Sequence, residues 1–535
     1  MHRHALLHRT VVASGLVASI TVLAALTGCT AETPYAPEAV TFDIPSRDVV
    51  RLPDGSVDAA LDKLPAIVER VLEETGVPGA AVAVVEGEEV RFAEGFGVKV
   101  IGEDDPIDAE TVFQIASLSK PVGSTVVATQ VTQGVVEWDT PAAELVDGFT
   151  LADPWTTEHV SVGDLFAHRS GLPHAAGDDL EDIGYDREYV LDHLGMLALH
   201  PFRTSYNYAN FGLTAGAQAV ANAAGTDWET LSEQELYEPL GMTSTSSRYE
   251  DFIARDDRAT LHALVGGEFQ PLYERNPDAQ SPAGGVSSNV VDLARWMSLL
   301  IGEGSAFGED LIDPADLLAA TSAEVVAGHP VMPDQRAGYY GYGFNVGVTS
   351  TGRTGISHSG AFTLGAGTNF QVVPELGLGI VALTNGGPVG AAEAITAEFL
   401  DEVQYGKATR DWVTDYGHAL GSYYAPAGDL ADETAPTDAA PARALGDYAG
   451  TYANPYFGPA EVVLDGDALV VRLGPDGGYE FALEPWEGDT FAFVPTGENA
   501  PDGSLSSATF TIEPGGGDSM RLDFFDTNQL GTWTR

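Results

Sequence analysis

The chain has 535 residues, with 79 Asp and Glu against 25 Lys and Arg and a formal net charge of −54. Such a length predicts two or three domains. So acidic a chain lacks the clustered Lys and Arg that nucleic acid or a polybasic membrane patch requires. One cysteine, Cys29, excludes a disulfide framework and a cysteine-based metal site. Lysine is confined to Lys63, Lys99, Lys120 and Lys407, so a lysine inside a motif carries weight.

In chain order, residues 1–28 read as an export signal. His2, Arg3, His4, His8 and Arg9 form a basic start, and Val11 to Leu26 is uncharged and largely apolar. Leu26-Thr27-Gly28-Cys29 resembles the bacterial lipoprotein box, in which the cysteine is lipidated and becomes the mature first residue. A plain cleaved signal and an uncleaved anchor helix are the alternatives. Loss of Arg3 and Arg9 takes the net charge to −56. Residues 29–48, with three prolines, read as a tether. The expectation is an acidic body lipid-anchored through Cys29 at the extracytoplasmic face of the cell membrane. A halophilic source and an acidic-secretome bacterium fit equally. No second stretch is long and apolar enough to span a bilayer.

Ser56 to Thr75 has apolar residues at three- and four-residue spacing and predicts a helix. Gly79 to Val85 and Glu89 to Phe96 flank a Gly87 turn and predict a hairpin. Val290 to Ile301 predicts a helix with Leu293, Trp296, Met297 and Leu300 on one face. Thr368 to Val373 and Gly379 to Leu383 predict strands joined through Pro374-Glu-Leu-Gly377. Residues 425–442, acidic and proline-containing, read as a linker. Beyond it, Glu461 to Leu464 and Ala468 to Val471 flank Asp465-Gly466, a hairpin signal. Short strands at Phe481–Leu483, Thr490–Val494, Ala508–Ile512 and Met520–Phe525 complete a small β domain over 443–535, sandwich or barrel.

Three motifs carry chemistry. Ser117-Leu-Ser-Lys120 sets a serine three residues before a lysine at a predicted helix start, on one face. A serine hydroxyl becomes a nucleophile when a base takes its proton, and lysine serves if burial depresses its pKa. Free N–H groups of the helix start lie near the serine, and Pro121 suits the first turn. This is the only S-x-x-K in the chain; a surface pair is the alternative. Tyr208-Ala-Asn210 offers a phenol for proton relay and an amide for a substrate carbonyl. Tyr452-Ala453-Asn454 has the same spelling, and a Tyr/Asn-rich turn explains either copy. His358-Ser-Gly360 precedes the two predicted strands, where an edge strand would line a cleft. There the N–H of Ala361 would join that of Ser117 as an oxyanion hole. His193-Leu-Gly195 repeats that spelling in an apolar, helix-like run.

In this order and spacing, the motifs resemble serine β-lactamases and penicillin-binding proteins. The branch is the one with Y-x-N as second motif: class C β-lactamases, DD-carboxypeptidases, D-aminopeptidases and related esterases. Leu165 to Pro173, Ala283 to Ser288 and Tyr340 to Phe344 are similar too, and the resemblance covers about Val57 to Leu400. The β domain is similar to a lipocalin-like module through Leu445 to Tyr452 and Trp486 with Phe491.

The resemblance implies an α+β fold. A β-lactamase-like catalytic domain over 49–424, an antiparallel sheet flanked by helices plus a helical subdomain, precedes the small all-β barrel-like domain. It implies Ser117 as the acylated nucleophile, with Lys120 and Tyr208 sharing general-base and relay duty. Asn210, His358 and Gly360 are the implied substrate-binding residues, and the backbone of Ser117 and Ala361 the oxyanion hole. The usual third motif begins with lysine, and here His358 stands in its place. A histidine mostly neutral at pH 7 gives a substrate carboxylate no fixed cation, which argues against efficient β-lactam hydrolysis.

No metal or cofactor is expected. His168, His174 and His262 lack ligand spacing. Asp178-Asp179 and Glu181-Asp182 read as solvated loops rather than a calcium site. The leading expectation is an extracytoplasmic serine hydrolase acting through an acyl-enzyme on an ester, D-amino-acid peptide or related amide. Its partner would be a small-molecule or peptidoglycan-type peptide substrate. A class C-like β-lactamase is the alternative within that chemistry. A non-catalytic penicillin- or peptidoglycan-binding sensor lipoprotein is the alternative outside it. The β domain is expected to cap or flank the cleft or bind a partner, on a linker long enough to let it move.

Overall fold

Eight strands form the main antiparallel sheet of the computed structural model: Gly79–Glu86 (β1), Glu89–Gly97 (β2), Val325–Gly328 (β3), Gly338–Tyr340 (β4), Asn345–Val348 (β5), Thr354–Phe362 (β6), Ala366–Val373 (β7) and Leu378–Thr384 (β8). Their order is β3-β4-β5-β6-β7-β8-β1-β2. The structure describes residues 39–40, 49–50, 52–333, 335–513 and 515–535. The predicted signal, Cys29 and most of the predicted tether lie outside these residues. Within the tether span, Ala39–Val40 pairs antiparallel with Val49–Val50, where composition predicts no strand.

The longer helices are Leu64–Thr75 (α1), Ser119–Thr132 (α2), Asn210–Ala224 (α3), Val290–Ile301 (α4) and Ala391–Tyr405 (α5). Alternate residues of a strand face opposite sides. Ala80, Val82 and Val84 of β1 therefore meet α1 and α5, while Ala81, Ala83 and Val85 belong to the core that contains α4. Burial on both faces explains why β1 reads as a continuous apolar run. Each large apolar side chain so buried contributes about 1.5–3 kcal/mol. Trp296 of α4, fully buried, donates its indole N–H to Thr125 Oγ1 of α2 (3.0 Å) and ties the sheet-facing helix to the central one. The predicted helix over 56–75 is two helices, Ser56–Leu61 and Leu64–Thr75. Pro65 donates no N–H to a preceding turn, so it starts the second helix instead of continuing the first.

The C-terminal strands form a second sheet: Gly450–Tyr452 (β9), Ala460–Asp465 (β10), Ala468–Leu473 (β11), Tyr479–Glu487 (β12), Thr490–Phe493 (β13), Ser506–Thr511 (β14), Ser519–Leu522 (β15) and Thr532–Thr534 (β16). They pair in sequential order, and the Ala453–Thr534 bridge joins the ends into a nearly closed barrel. Tyr448, Tyr452, Phe457, Phe491, Phe510 and Trp533 are among the side chains that fill it. The predicted strand Met520–Phe525 stops at Leu522 and continues as a 3-10 turn, Asp523–Phe525.

Residues 425–442 contain no helix or strand, yet they are not a free tether. Asp429 accepts from Ser506 Oγ (3.0 Å), Ser507 N (2.8 Å) and Ser507 Oγ (2.7 Å), which fastens the segment to the barrel. The barrel in turn grips the catalytic domain. Tyr185 and Tyr189 donate to the carbonyls of Phe457 (3.0 Å) and Tyr456 (2.9 Å), and Tyr456 donates to Asp179 (2.9 Å). Residues 37–535 form one compact unit.

Candidate active site

Ser117 sits in a 3-10 turn, Ala116–Leu118, that runs into α2. Ala116 has φ 49°, a left-handed conformation uncommon for a residue with a Cβ, and presents Ser117 at a sharp bend. Ser119 pins the bend. Its hydroxyl donates to the Ala116 carbonyl (2.6 Å) and accepts from Val286 N–H (2.9 Å). Pro121 falls in the first turn of α2, where its missing N–H costs no helical bond.

Lys120 is fully buried, which removes the surface-pair alternative. Its Nζ meets Asn210 Oδ1 (2.7 Å), the Ala283 carbonyl (2.9 Å) and Ser117 Oγ (3.1 Å). The first two groups only accept. They occupy both N–H bonds of a neutral amine and turn its lone pair toward the Ser117 hydroxyl. Burial pushes the amine from its ordinary 10.5 down to about 7, against a smaller upward pull from Asp178.

Tyr208 donates its O–H to Ser117 Oγ (2.9 Å). Burial raises this phenol well above its ordinary 10, despite the bond to Ser117. The phenol therefore stays protonated where the amine is half neutral, an arrangement in which Lys120 can act as a base and Tyr208 as a proton donor. His168 holds Tyr208 from both sides: its carbonyl accepts from Asn207 N–H (2.9 Å) and its Nδ1 from Ala209 N–H (3.2 Å).

Asn210 opens α3, and both ends of its amide are engaged. Oδ1 accepts from Lys120 and Nδ2 donates to Asp178 (3.0 Å). The side chain expected to hold substrate thus holds the base. Burial, then Glu181 and Asp182, push the Asp178 carboxyl up to about 8.

His358 lies within β6, which is an interior strand rather than the expected edge. Its outer neighbour β5 ends at Asn345, opposite Ser357, so β6 has no strand partner on that side from His358 to Phe362. His358 Nδ1 meets the Ser359 carbonyl (2.6 Å), which only accepts, so the proton is on Nδ1. Tyr340 O–H then donates to Nε2 (2.8 Å). Burial, with Lys120 adding to it, pushes His358 down to about 3, and the ring is neutral at pH 7. At Gly360 a Cβ would run into the Ile115 carbonyl and Thr368, and would stand 3.0 Å from Ser117 N. Only glycine lets β6 approach the serine turn. Ala361, next along, lines the same cavity as Ser117. Ser117 is the second residue of its turn and has no acceptor upstream within it. The two residues whose N–H groups are expected as oxyanion donors thus line one cavity.

The cavity measures about 350 Å³. Its walls include Ser117, Tyr208, Asn210, His358 and Ala361, and also residues that sequence reasoning missed: Tyr340, Arg275, Glu393, Glu498 and Asn499. The last two come from the barrel. The acidic pair expected as solvated loops is corrected here. Asp178–Asp182 is a helical turn, and Glu181 is buried against Arg275 (2.8 Å) and Gln280. Asn499 donates to Asp182 (2.7 Å). Those covering residues lie 94 to 317 positions away, so no local pattern reveals the burial.

The look-alike spellings have structural duties. Tyr452 donates to the Tyr448 carbonyl (2.8 Å), and Asn454 Oδ1 accepts from Tyr456 and Phe457 N–H (both 2.8 Å). His193 ends a helix and stacks on Tyr189 at 3.9 Å. His262 accepts from Ile101 N–H (3.1 Å) and donates to the Asn385 carbonyl (3.0 Å). His174 is exposed at the cavity wall. Among the described residues, no group of three or more His, Cys, Asp or Glu is arranged to hold a metal ion.

Residues 64–404 match the β-lactamase family model. The chain belongs to the β-lactamase family. This family member carries, over 434–532, a match to a domain of unknown function (DUF3471). It is 27% identical over 332 residues to an unguisins hydrolase of Aspergillus campestris, covering 60% of each chain. The chain thus spans less than two thirds of that relative. It is 29% identical over 323 residues to penicillin-binding protein 4 of Amycolatopsis lactamdurans, covering 58% of this chain and 81% of that one. The octameric penicillin-binding protein homologue from Pyrococcus abyssi has a similar fold. The TM-score is 0.56 at 20% identity, over 89% of this chain and all of that one. Family membership and the Ser117–Lys120 contact together support serine-hydrolase chemistry at this site.

Proposed function

We propose that the protein is an extracytoplasmic acyl-enzyme hydrolase of esters, D-amino-acid peptides or related amides, tethered to the membrane through Cys29. The observation that carries the chemistry is the buried Lys120 amine, 3.1 Å from Ser117 Oγ with its two N–H bonds already taken. In this reading Ser117 Oγ attacks the substrate carbonyl carbon as its proton passes to Lys120. The N–H groups of Ser117 and Ala361 take the developing oxyanion. Tyr208 gives its proton to the leaving group and is reprotonated by the Lys120 ammonium, so both groups return to their starting forms. Water, losing a proton to Lys120, then releases the acyl group from Ser117, whose oxygen is reprotonated. The names of the two relatives, one a hydrolase and one a penicillin-binding protein, support the class. The neutral His358 supplies no cation for a substrate carboxylate, so β-lactam turnover is the less favoured reading.

A fluorophosphonate probe tests this. Ser117 should be labelled in the intact protein and not in Ser117→Ala, and 4-nitrophenyl acetate turnover should vanish in Lys120→Ala. Equal labelling of both forms would sink the assignment of Ser117. Globomycin-sensitive recovery of the full-length protein in the membrane fraction tests the anchor, and a Cys29→Ala variant that remains membrane-bound argues against it.

A further inference from the structure

We infer that the C-terminal barrel completes a subsite for a substrate ammonium group, built from Glu498 of the barrel with Glu181 and Asp178 of the catalytic domain. The inference rests on Ser117 being the nucleophile of this cavity. All three carboxyl groups line the cavity that Ser117 opens into. Each has one oxygen engaged by the protein and one buried without a partner. Glu498 Oε1 accepts from Thr363 N–H, and Oε2 has nothing. Glu181 Oε2 accepts from Arg275 and Gln280, and Oε1 has nothing. Asp178 Oδ2 accepts from Asn210, and Oδ1 has nothing.

Buried acceptors left unmatched are costly, and natural proteins keep few of them. Three around one cavity ask for a ligand that brings donors. A primary ammonium brings three N–H donors and a positive charge in one compact group. The cavity's charge balance agrees. Glu393 adds a fourth carboxyl group, while the Arg275 guanidinium is already paired with Glu181 at 2.8 Å. Burial, as the largest influence, holds Glu498 and Glu393 up near 7, and at Glu498 the Arg275 charge offsets it only in part.

A second cavity of about 410 Å³ shares His174, Asp178 and Asn499 with the first. It adds Asp182, Asp429 and Asp523 at the seam between catalytic domain and barrel. This acidic seam gives a cationic substrate a path and turns an anionic one away. The substrate class is therefore an acyl donor that carries a free amine, such as an aminoacyl ester or an amine-bearing peptide. A donor carrying a free carboxylate is disfavoured.

Three series of 4-nitrophenyl esters, ending in an amine, a hydroxyl or a carboxylate over two to six methylenes, test this on the full chain at pH 7.5. At the best length, kcat/KM for the amine should exceed that for the hydroxyl at least tenfold, with the carboxylate lowest. In Glu498→Gln the amine-to-hydroxyl ratio should fall to within twofold, because the amide keeps the Thr363 bond and loses the charge. A wild-type ratio near one, or a ratio unchanged in Glu498→Gln, overturns the subsite. A measurement on the wild type alone guards against a variant that does not fold. Butylamine should slow fluorophosphonate labelling of Ser117 at a tenfold lower concentration than butanol or butyrate, and equal protection overturns the proposal. Turnover of the hydroxyl esters without amine preference removes the subsite alone. Absence of both turnover and labelling removes the hydrolase reading beneath it.

Discussion

Acylation by this site should switch on as pH rises through about 7. Lys120 accepts the Ser117 proton only when its amine is neutral. With the amine at about 7, half the molecules are competent at neutral pH. At the ordinary 10.5, roughly one in 3,000 would be. Burial therefore changes the ionisation constant about 3,000-fold, which corresponds to about 5 kcal/mol in favour of the neutral amine, and enlarges the competent fraction about 1,500-fold. The assay is kcat/KM for 4-nitrophenyl acetate, an uncharged ester, from pH 5 to 9. A single rising limb centred near 7 is expected. Lys120→Arg should abolish the limb and acylation together, because a guanidinium keeps its proton. Asp178 is linked to Lys120 through Asn210 and holds the amine up, so Asp178→Asn should move the limb to lower pH. Because the two groups are coupled, the measured midpoint belongs to the pair. Folding carries a signature of the same sign over a wider window. The folded amine titrates below the unfolded one, so the unfolded chain binds more protons between about pH 7 and 10.5. The contribution of Lys120 to stability rises with pH across that window. The melting temperature of the wild type relative to Lys120→Met should climb accordingly. A limb centred above pH 9, or full activity in Lys120→Ala, would refute the reasoning.

Three further outcomes are expected. Tyr208→Phe removes the donor to Ser117 and should lower kcat by about 10²- to 10⁴-fold while leaving the rising limb in place; a displaced limb would make Tyr208 the base. Gly360→Ala drives a methyl group into the Ile115 carbonyl and should cost about 1–3 kcal/mol in chemical denaturation together with most esterase activity. Tyr456→Phe deletes the hydrogen bond from barrel to Asp179 and should destabilise the fold by about 1.5–3 kcal/mol, since the acceptor is a carboxylate; an unchanged unfolding midpoint would show that the interface does not depend on this bond.

The order of the three motifs made the fold class legible before any coordinates, and it nominated Ser117 as the nucleophile. Ser117 and Lys120 lie three residues apart in a helix start, so a local spacing encodes their meeting. The β1 run and the α4 stripe were equally plain, because periodic burial writes itself into periodic apolarity. Other features had no local signature. Tyr452-Ala-Asn454 and Tyr208-Ala-Asn210 are spelled alike, and only packing distinguishes a barrel turn from a proton donor. Asp178 to Asp182 looked solvated because nothing nearby in sequence announces Arg275, Gln280, Tyr456 or Asn499. Likewise, nothing near Glu498 says that its carboxyl group reaches the cavity of Ser117.

The opening charge of −54 marks the same division. The sequence alone determined that the chain is acidic, poor in lysine and equipped with one serine–lysine motif, since these are properties of composition and short spacing. The tertiary structure decided where that charge acts. Burial lowers the Lys120 amine to about 7 and keeps His358 neutral at pH 7, and packing gathers part of the acidity around one cavity. Desolvation and long-range contact set those outcomes, and neither is a property of any stretch of sequence taken by itself.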